Sequence, residues 1–256
     1  MAQKRRLEKI LDWLQVHHEI NAEDIITQFN VSRDTARRDL VKLEEEGKIL
    51  RVKGGAVLAS QSTALSPYRD RGMPKYKEEE IARKAAAYVR EHDHIFFDTS
   101  TTVELTARLM ANKEITAVTN SIDIFQILSE RDGYITYLTG GKFNKFHRNF
   151  TSFHTAGEVT KYKTDVLFLG ACGLGMEGLT SPDEGEAYVK KSMIQSAKKV
   201  ILLADHTKFN KEFLHQVCDL SQIDLIITDQ TPPKQMEQKL RSLHIELMVT
   251  EKERGR

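Results

Sequence analysis

The sequence predicts an α/β protein, an open and mostly parallel sheet domain preceded by a small unit of helices and a hairpin. From Ile95 onward, short apolar runs alternate with amphipathic stretches, the order that strand–helix units of a parallel sheet produce. Ahead of them lie two amphipathic stretches, a capped arginine-rich third, and two short β-type runs about Gly54-Gly55. The small unit needs only about sixty residues; a chain of 256 therefore requires a further domain.

In chain order, Arg6 to Val16 carries an apolar stripe through Leu7, Ile10, Leu11 and Leu14. Asn21 caps a short helix, Ala22 to Phe29, with Ile25, Ile26 and Phe29 apolar. Only Asn30-Val31 separates it from Ser32, the cap of the next helix, and two helices joined this tightly form a helix-turn-helix. In that third helix Ala36, Leu40 and Leu43 face the core, with Val31 beneath the first turn. At ~100° per residue the opposite face carries Asp34, Thr35, Arg38 and Lys42, flanked by Arg33 and Arg37. Gly47 is a C-cap candidate, and Ile49–Val52 with Ala56–Leu58 make a hairpin, the wing of a winged helix.

The plain alternative for this cationic face is a solvated surface neutralised by Asp34, Asp39 and Glu44 to Glu46. Placement favours nucleic acid: the basic residues sit at the helix start and in the hairpin, the acidic triplet at the far end. Residues 1–58 therefore read as a DNA-binding unit. Its candidate contacts are Ser32, Arg33, Thr35, Arg37, Arg38 and Lys42 on the helix, and Lys48, Arg51 and Lys53 on the wing.

Formal net charge is only +1, so affinity for DNA must come from local placement. No apolar run approaches the ~18 residues of a spanning helix, and MAQKRRLEK lacks a signal-peptide core, so a cytoplasmic protein without a membrane partner is expected. Cys172 and Cys218 lack CxxC spacing and read as buried reduced thiols. His17-His18 and His92-Asp93-His94 lack the i, i+4 placement of a zinc motif, so no metal and no cofactor are expected.

Residues 59–75, rich in Ser, Pro and Gly, read as a linker. Tyr76 to Val89 is helical, with Ile81, Ala85 and Val89 on one stripe, and belongs either to the linker or to the domain that follows. That domain, 76–250, has expected strands at Ile95–Phe97, Thr116–Val118, Ile135–Leu138, Val166–Leu169, Val200–Leu203, Leu225–Ile227 and Glu246–Val249. Helices are expected at Val103–Met110, Ile122–Leu128, Ala187–Ala197 and Lys234–Leu243, and 251–256 is a tail.

Polar and small residues gather where these strands end: Asp98 to Thr102, Asn120-Ser121, Gly140-Gly141, Gly170 to Gly175 including Gly173, and Asp205 to Lys208. In open parallel sheets the ligand crevice lies at the strands' carboxyl ends. Thr99, Ser100, Thr101 and Thr102 offer four hydroxyls and backbone N–H groups before a helix expected to begin at Val103, a place for an anion such as phosphate. An ordinary N-cap needs one hydroxyl, so four is excess. By spacing alone Glu186 and Lys190 are a surface i, i+4 pair, and Lys208 a solvated loop lysine beside Asp205.

The stretches VSRDTARRDLVKLEEEGKILRVKGGA, DTSTT, TNS, TGG, DVLFLGACGLG, GLTSPDEGEAYVKKSMI, LLADHTKF and ITD, in this order, resemble the DeoR-type transcriptional regulators over nearly the whole chain. The resemblance implies a winged helix joined to a sensor domain similar to ribose-5-phosphate isomerase, which binds a phosphorylated sugar or related metabolite. It implies phosphate contacts at Thr99 to Thr102 and crevice walls at Asp98, Asn120, Ser121, Gly140 and Gly141, with Glu186, Lys190, Asp205 and Lys208 on motif positions. Lys53, Ser100 and Gly185 depart from the family's usual His, Gly and carboxylate, and Lys142 to Ala156, with His147, Arg148 and His154, fits poorly.

Two functions follow. The favoured one is a repressor of a sugar or polyol operon that binds operator DNA as a homo-oligomer, dimer or tetramer, under control of a phosphorylated sugar or polyol. The other is a working sugar-phosphate isomerase, with Asp98, Glu186 and Lys208 as acid, base and electrophile. Nothing in the sequence fixes a base beside a substrate carbon, and fold alone does not carry function, so an enzyme is not expected.

Overall fold

The computed structural model describes residues 3–17, 19–45, 48–52, 55–58, 76–111, 113–145 and 147–250. The chain divides into two compact units, residues 1–65 and 66–256.

In the first unit α1 (Gln3–His17) leads through β1 (Glu19–Asn21) to α2 (Ala22–Phe29) and α3 (Arg33–Glu45), followed by β2 (Ile49–Val52) and β3 (Gly55–Leu58). Asn21 closes a capping box with Asp24, and Asn30 ends α2 in the left-handed region at φ 49°, the turn that redirects the chain into α3. Ala36, Leu40 and Leu43 are buried with Leu7, Ile10, Leu14, Ile20, Ile25, Ile49 and Ala56, and Val31 packs against this core.

The wing has a third strand that the sequence reading lacks. β1 lies antiparallel on β3, with Ile20 opposite Ala56 and Asn21 opposite Gly55. A Cβ at Gly55 would stand 2.2 Å from the Ile20 carbonyl oxygen, so the close approach of β1 requires glycine there. The C-cap candidate Gly47 and the wing-tip residues Lys53 and Gly54 lie outside the described residues. Asp39 is not a surface neutraliser: it is fully buried and paired with Arg6 of α1. Both Arg6 Nη2 and Gln3 Nε2 donate to Asp39 Oδ1 at 3.1 Å, which ties α1 to α3.

The second unit runs α4 (Tyr76–Ala86), β4 (His94–Phe97), α5 (Thr101–Leu109), β5 (Ile115–Thr119), α6 (Ile122–Ser129) and β6 (Tyr134–Leu138). It continues through β7 (Phe143–Asn144), β8 (Asn149–Phe150), α7 (Phe153–Val159), β9 (Thr164–Gly170), β10 (Gly173–Gly175), β11 (Gly178–Ser181) and α8 (Glu184–Ser196). It ends with β12 (Ala197–Leu203), β13 (His215–Cys218), β14 (Leu225–Thr228), α9 (Lys234–Ser242) and β15 (Glu246–Val249).

All seven expected strands form one sheet in the order β15-β14-β12-β9-β4-β5-β6, and every pairing in it is parallel. Alternate residues serve opposite faces. Ile95 and Phe97 pack with α4, α5 and α6, whereas Phe96 packs with α7, α8 and α9. Ile81, Ala85 and Val89 are buried in the first of these layers, so α4 belongs to this unit. The small antiparallel sheet β10-β11-β13, the β7–β8 pair and α7 are additions that the sequence reading lacks.

Two helix starts differ from expectation. Helix α5 begins at Thr101 rather than Val103, because Ser100 Oγ accepts the Val103 N–H at 3.0 Å. Helix α8 begins at Glu184 rather than Ala187, because Asp183 accepts the Glu186 N–H at 2.8 Å, and Ala197 opens β12 instead of ending the helix.

Candidate functional sites

On α3, Arg33, Arg37, Arg38 and Lys42 are exposed together on the face away from the core. Ser32 Oγ accepts the Thr35 N–H at 3.2 Å and lies 2.9 Å from Thr35 Oγ1, so both hydroxyls fix the helix start. Arg33 also pairs with Glu23 of α2 at 2.7 Å, an exposed contact that holds the first turn of α3 to the preceding helix. Lys48 is exposed beyond α3, and its N–H closes the helix on the Leu43 carbonyl at 2.9 Å. Arg51 lies on β2; its side chain, and the whole of Lys53, are outside the described residues.

In the second unit the polar clusters converge at the carboxyl ends of the parallel strands. Asp98 follows β4, is 2% exposed, and is paired with Lys190 of α8, itself 3% exposed. Lys190 Nζ also donates to the Gly170 carbonyl at 3.2 Å, and the Gly170 N–H donates to Asp98 Oδ2 at 2.9 Å. Burial pushes the Asp98 carboxyl up, against the pull of Lys190. Burial also works against the Lys190 ammonium, but Asp98 and Glu186 outweigh it and hold Lys190 above the ordinary lysine range. Glu186 and Lys190 are thus buried groups, not the surface pair that spacing alone gives.

Glu186 accepts from Asn149 Nδ2 at 3.2 Å and from Ser181 Oγ at 3.4 Å, with His147 Nδ1 at 3.7 Å. The poorly fitting segment is therefore part of this site: His147 and Asn149 reach the buried carboxylate, while Arg148 is bound to Asp123 and His154 is exposed. Thr99 Oγ1 donates to Asn120 Oδ1 at 3.0 Å, Asn120 Nδ2 donates to the Phe150 carbonyl at 3.0 Å, and Ser121 caps α6. These three residues lie together at the ends of β4 and β5.

Of the four hydroxyls, Ser100 is spent on its cap and Thr99 on Asn120; Thr101 and Thr102 occupy the first turn of α5, half-buried. A Cβ at Gly170 would meet Ser100 Cβ at 2.3 Å, so glycine lets the end of β9 touch the start of α5. Gly140 and Gly141 are exposed after β6. Gly141 has φ 137°, and a side chain there would strike Thr155 Oγ1 at 2.1 Å. Gly173 opens β10, where a Cβ would meet the Lys211 carbonyl at 2.6 Å.

Beyond β12, Asp205 Oδ1 accepts the Thr207 N–H at 2.8 Å and lies 3.1 Å from Lys77 Nζ of α4. Burial alone would raise the Asp205 carboxyl, but Lys208, Lys77 and Thr207 hold it well below the usual range. Cys172 lies in the loop after β9, where burial of its thiol pushes it up to about 11, with Glu186 acting in the same direction and Lys190 and Lys208 against it. Cys172, Asn149 and Lys77 are the residues that sequence reasoning missed. For Cys172 the signal was its position in the glycine-rich loop after β9. An open cleft of about 540 Å³ between β7 and the first turn of α8, lined by Lys142, Phe143, Thr151, Asp183 and Gly185 among others, includes none of the predicted site residues.

Among the described residues no helix is long and apolar enough to cross a membrane. No group of His, Cys, Asp and Glu among them is arranged to hold a metal ion. His92 instead lies beside Glu114, and His94 beside Asp165.

A helix-turn-helix with an outward cationic helix, joined in one chain to a parallel α/β unit with charged residues gathered at its strand ends, defines a DNA-binding regulator with a ligand-sensing domain. Residues 6–62 match the DeoR-like helix-turn-helix domain and residues 75–230 the DeoR C terminal sensor domain; the chain belongs to the DeoR family of transcriptional regulators. It is 39% identical, over the whole of both chains, to the HTH-type transcriptional repressor GlcR of Bacillus subtilis. It is 30% identical to the glycerol-3-phosphate regulon repressor of Escherichia coli K12, over 96% of this chain and 99% of that one. Both of these full-length relatives are by name repressors, which the regulator reading expects and the isomerase reading does not.

Among solved structures, ribose 5 phosphate isomerase A from Neisseria gonorrhoeae matches with a TM-score of 0.37 and 19% identity, over 52% of this chain and 53% of that one. The Pyrococcus horikoshii OT3 translation initiation factor eIF-2B matches with a TM-score of 0.45 and 11% identity, over 88% and 86%. Likenesses this distant carry no functional argument.

Proposed function

We propose that this chain represses a sugar or polyol catabolic operon, and that a phosphorylated sugar or polyol bound in the crevice controls its grip on operator DNA. The observation that carries the reading is the start of α5. Ser100 supplies the cap, so the Thr101 and Thr102 hydroxyls and N–H groups remain for an anion at the positive end of the helix dipole. In this reading Asp98, Lys190, Glu186, Asn120 and Ser121 shape the crevice, Gly140 leaves room at its rim, Gly141 and Gly173 let the backbone around it pack closely, and Asp205 and Lys208 meet the ligand's polar groups. One relative is by name a glycerol-3-phosphate regulon repressor, which fits a phosphorylated polyol.

On the DNA side, Arg33, Thr35, Arg37, Arg38 and Lys42 face the groove with Ser32 at the helix start, and Lys48, Arg51 and Lys53 meet the backbone. A symmetric homo-oligomer, dimer or tetramer, sets two recognition helices one DNA turn apart, ~34 Å, or a multiple of it.

The test is calorimetry of the full chain against phosphorylated sugars and polyols, with Thr101→Ala/Thr102→Ala beside the parent. The double variant is expected to lose ligand affinity at least tenfold while keeping operator affinity. Equal ligand affinity in the two proteins would remove the phosphate from this helix end.

A further inference from the structure

Helix α4 is the first described element after residues 59–75, the stretch that joins the two units in sequence. It packs along α5, the helix whose first turn faces the crevice, and against β12 and β14. Its body is fixed by apolar contacts: Ile81, Ala82 and Ala85 are fully buried. Its first turn is held differently. Lys77 reaches Asp205 at the carboxyl end of β12, Nζ to Oδ1 at 3.1 Å, with the side chains 21% and 8% exposed. The start of the sensor unit is thus pinned to the crevice by a partly desolvated ion pair.

We propose that Lys77 is the positioning residue through which an anionic effector acts on the DNA-binding unit: the Lys77–Asp205 pair forms in the ligand-free crevice and is exchanged when the anion binds. The proposal rests on the reading of the crevice as a phosphorylated-ligand site. Asp205 has two cationic neighbours, Lys77 and Lys208, and an amide donor, Thr207. An anionic ligand that reaches Asp205 competes with it for both lysines. Lys208 sits beside Asp205 in the same short turn, whereas Lys77 is carried by the helix that continues from the inter-unit stretch. Loss of the pair therefore frees the first turn of α4 while its buried body stays in place. A ligand shifts an equilibrium only through contacts that differ between the two states, and this pair is such a contact.

The test is a cycle of operator affinities on the full chain without any ligand, using Lys77→Met, Asp205→Asn and the double variant, with Lys77→Arg as the conservative control. Each single variant is expected to change operator affinity about fivefold or more, the lower bound of useful coupling. The double variant should change it no further than either single one, and Lys77→Arg should stay at the parent value. Glucose 6-phosphate, glycerol 3-phosphate and inorganic phosphate are then titrated on the parent and on Lys77→Met. At concentrations that calorimetry shows to saturate each protein, a compound that shifts the parent's operator affinity should shift that of Lys77→Met far less. Parent-like operator affinity in both single variants, or an additive double variant, would overturn the coupling role. Failure of every compound to bind the parent would count against the ligand reading, and the ligand-free cycle would still decide the role of Lys77.

Discussion

Asp39→Ala is the sharpest perturbation of the DNA-binding unit. The Asp39 side chain is 0% exposed and its partner Arg6 8%, so truncation takes from a buried guanidinium its carboxylate partner between α1 and α3. Breaking a buried pair from one side costs about 3–5 kcal/mol. A unit spanning residues 1–65, at ~0.05–0.15 kcal/mol per residue, has a total stability of only ~3–10 kcal/mol, so the loss removes much or all of it. With ~4–8 °C per kcal/mol for a unit of this size, its melting transition should fall by ~12 °C or more. The assay is built in: Trp13, in α1, is the one tryptophan of the chain, so its fluorescence reports this unit alone. Arg6→Met combined with Asp39→Leu removes both charges and should restore most of the loss. A transition in Asp39→Ala within ~2 °C of the parent would refute the argument that this pair holds the recognition helix, since that shift is under ~0.5 kcal/mol.

Arg38→Ala should cost ~1–3 kcal/mol of operator binding and relax preference at one base position, read by competition with substituted operators. Lys48→Ala should instead weaken binding to all sequences alike and reduce the salt slope by ~0.9, as loss of one phosphate contact does. Asp205 contributes to the pH profile. Its carboxyl is held low in the folded chain, so its stabilising share is complete above the unfolded value of ~3.9 and is lost as pH falls below that toward the folded value. Thermal melts at pH 5 and pH 3 should show a smaller acid drop in Asp205→Asn than in the parent.

The five inner strands were legible because strands buried on both faces read as short, nearly continuous apolar runs such as Ile95-Phe96-Phe97 and Val200–Leu203, and the half-buried edge strands β6 and β15 still carry Ile135–Leu138 and Leu247–Val249. The third wing strand was not, because Glu19-Ile20-Asn21 has one apolar residue and pairs only through contact with β3. The β10-β11-β13 sheet escaped for a similar reason: its glycines answer to close approaches, Gly173 to Lys211 and Gly178 to Cys218, that no local pattern encodes. Within the crevice, single residues were recognisable by their place at strand ends. Their partnerships were not: Asp98 and Lys190 are 92 positions apart, and Lys77 meets Asp205 from a helix whose membership the sequence left open. Periodicity assigned Glu186 and Lys190 to a surface, since burial of a charged pair depends on distant partners such as Asn149 and Asp98.

In the proposed function, a ligand bound among the charged residues of the second unit governs the DNA affinity of the first. The most direct measurement is operator binding by the full chain, at one fixed salt concentration, across a titration of phosphorylated sugars and polyols with the unphosphorylated compounds as controls. The account predicts that at least one phosphorylated compound changes operator affinity fivefold or more while its unphosphorylated counterpart does not. Operator affinity indifferent to every phosphorylated compound, or equally sensitive to the unphosphorylated ones, would contradict it.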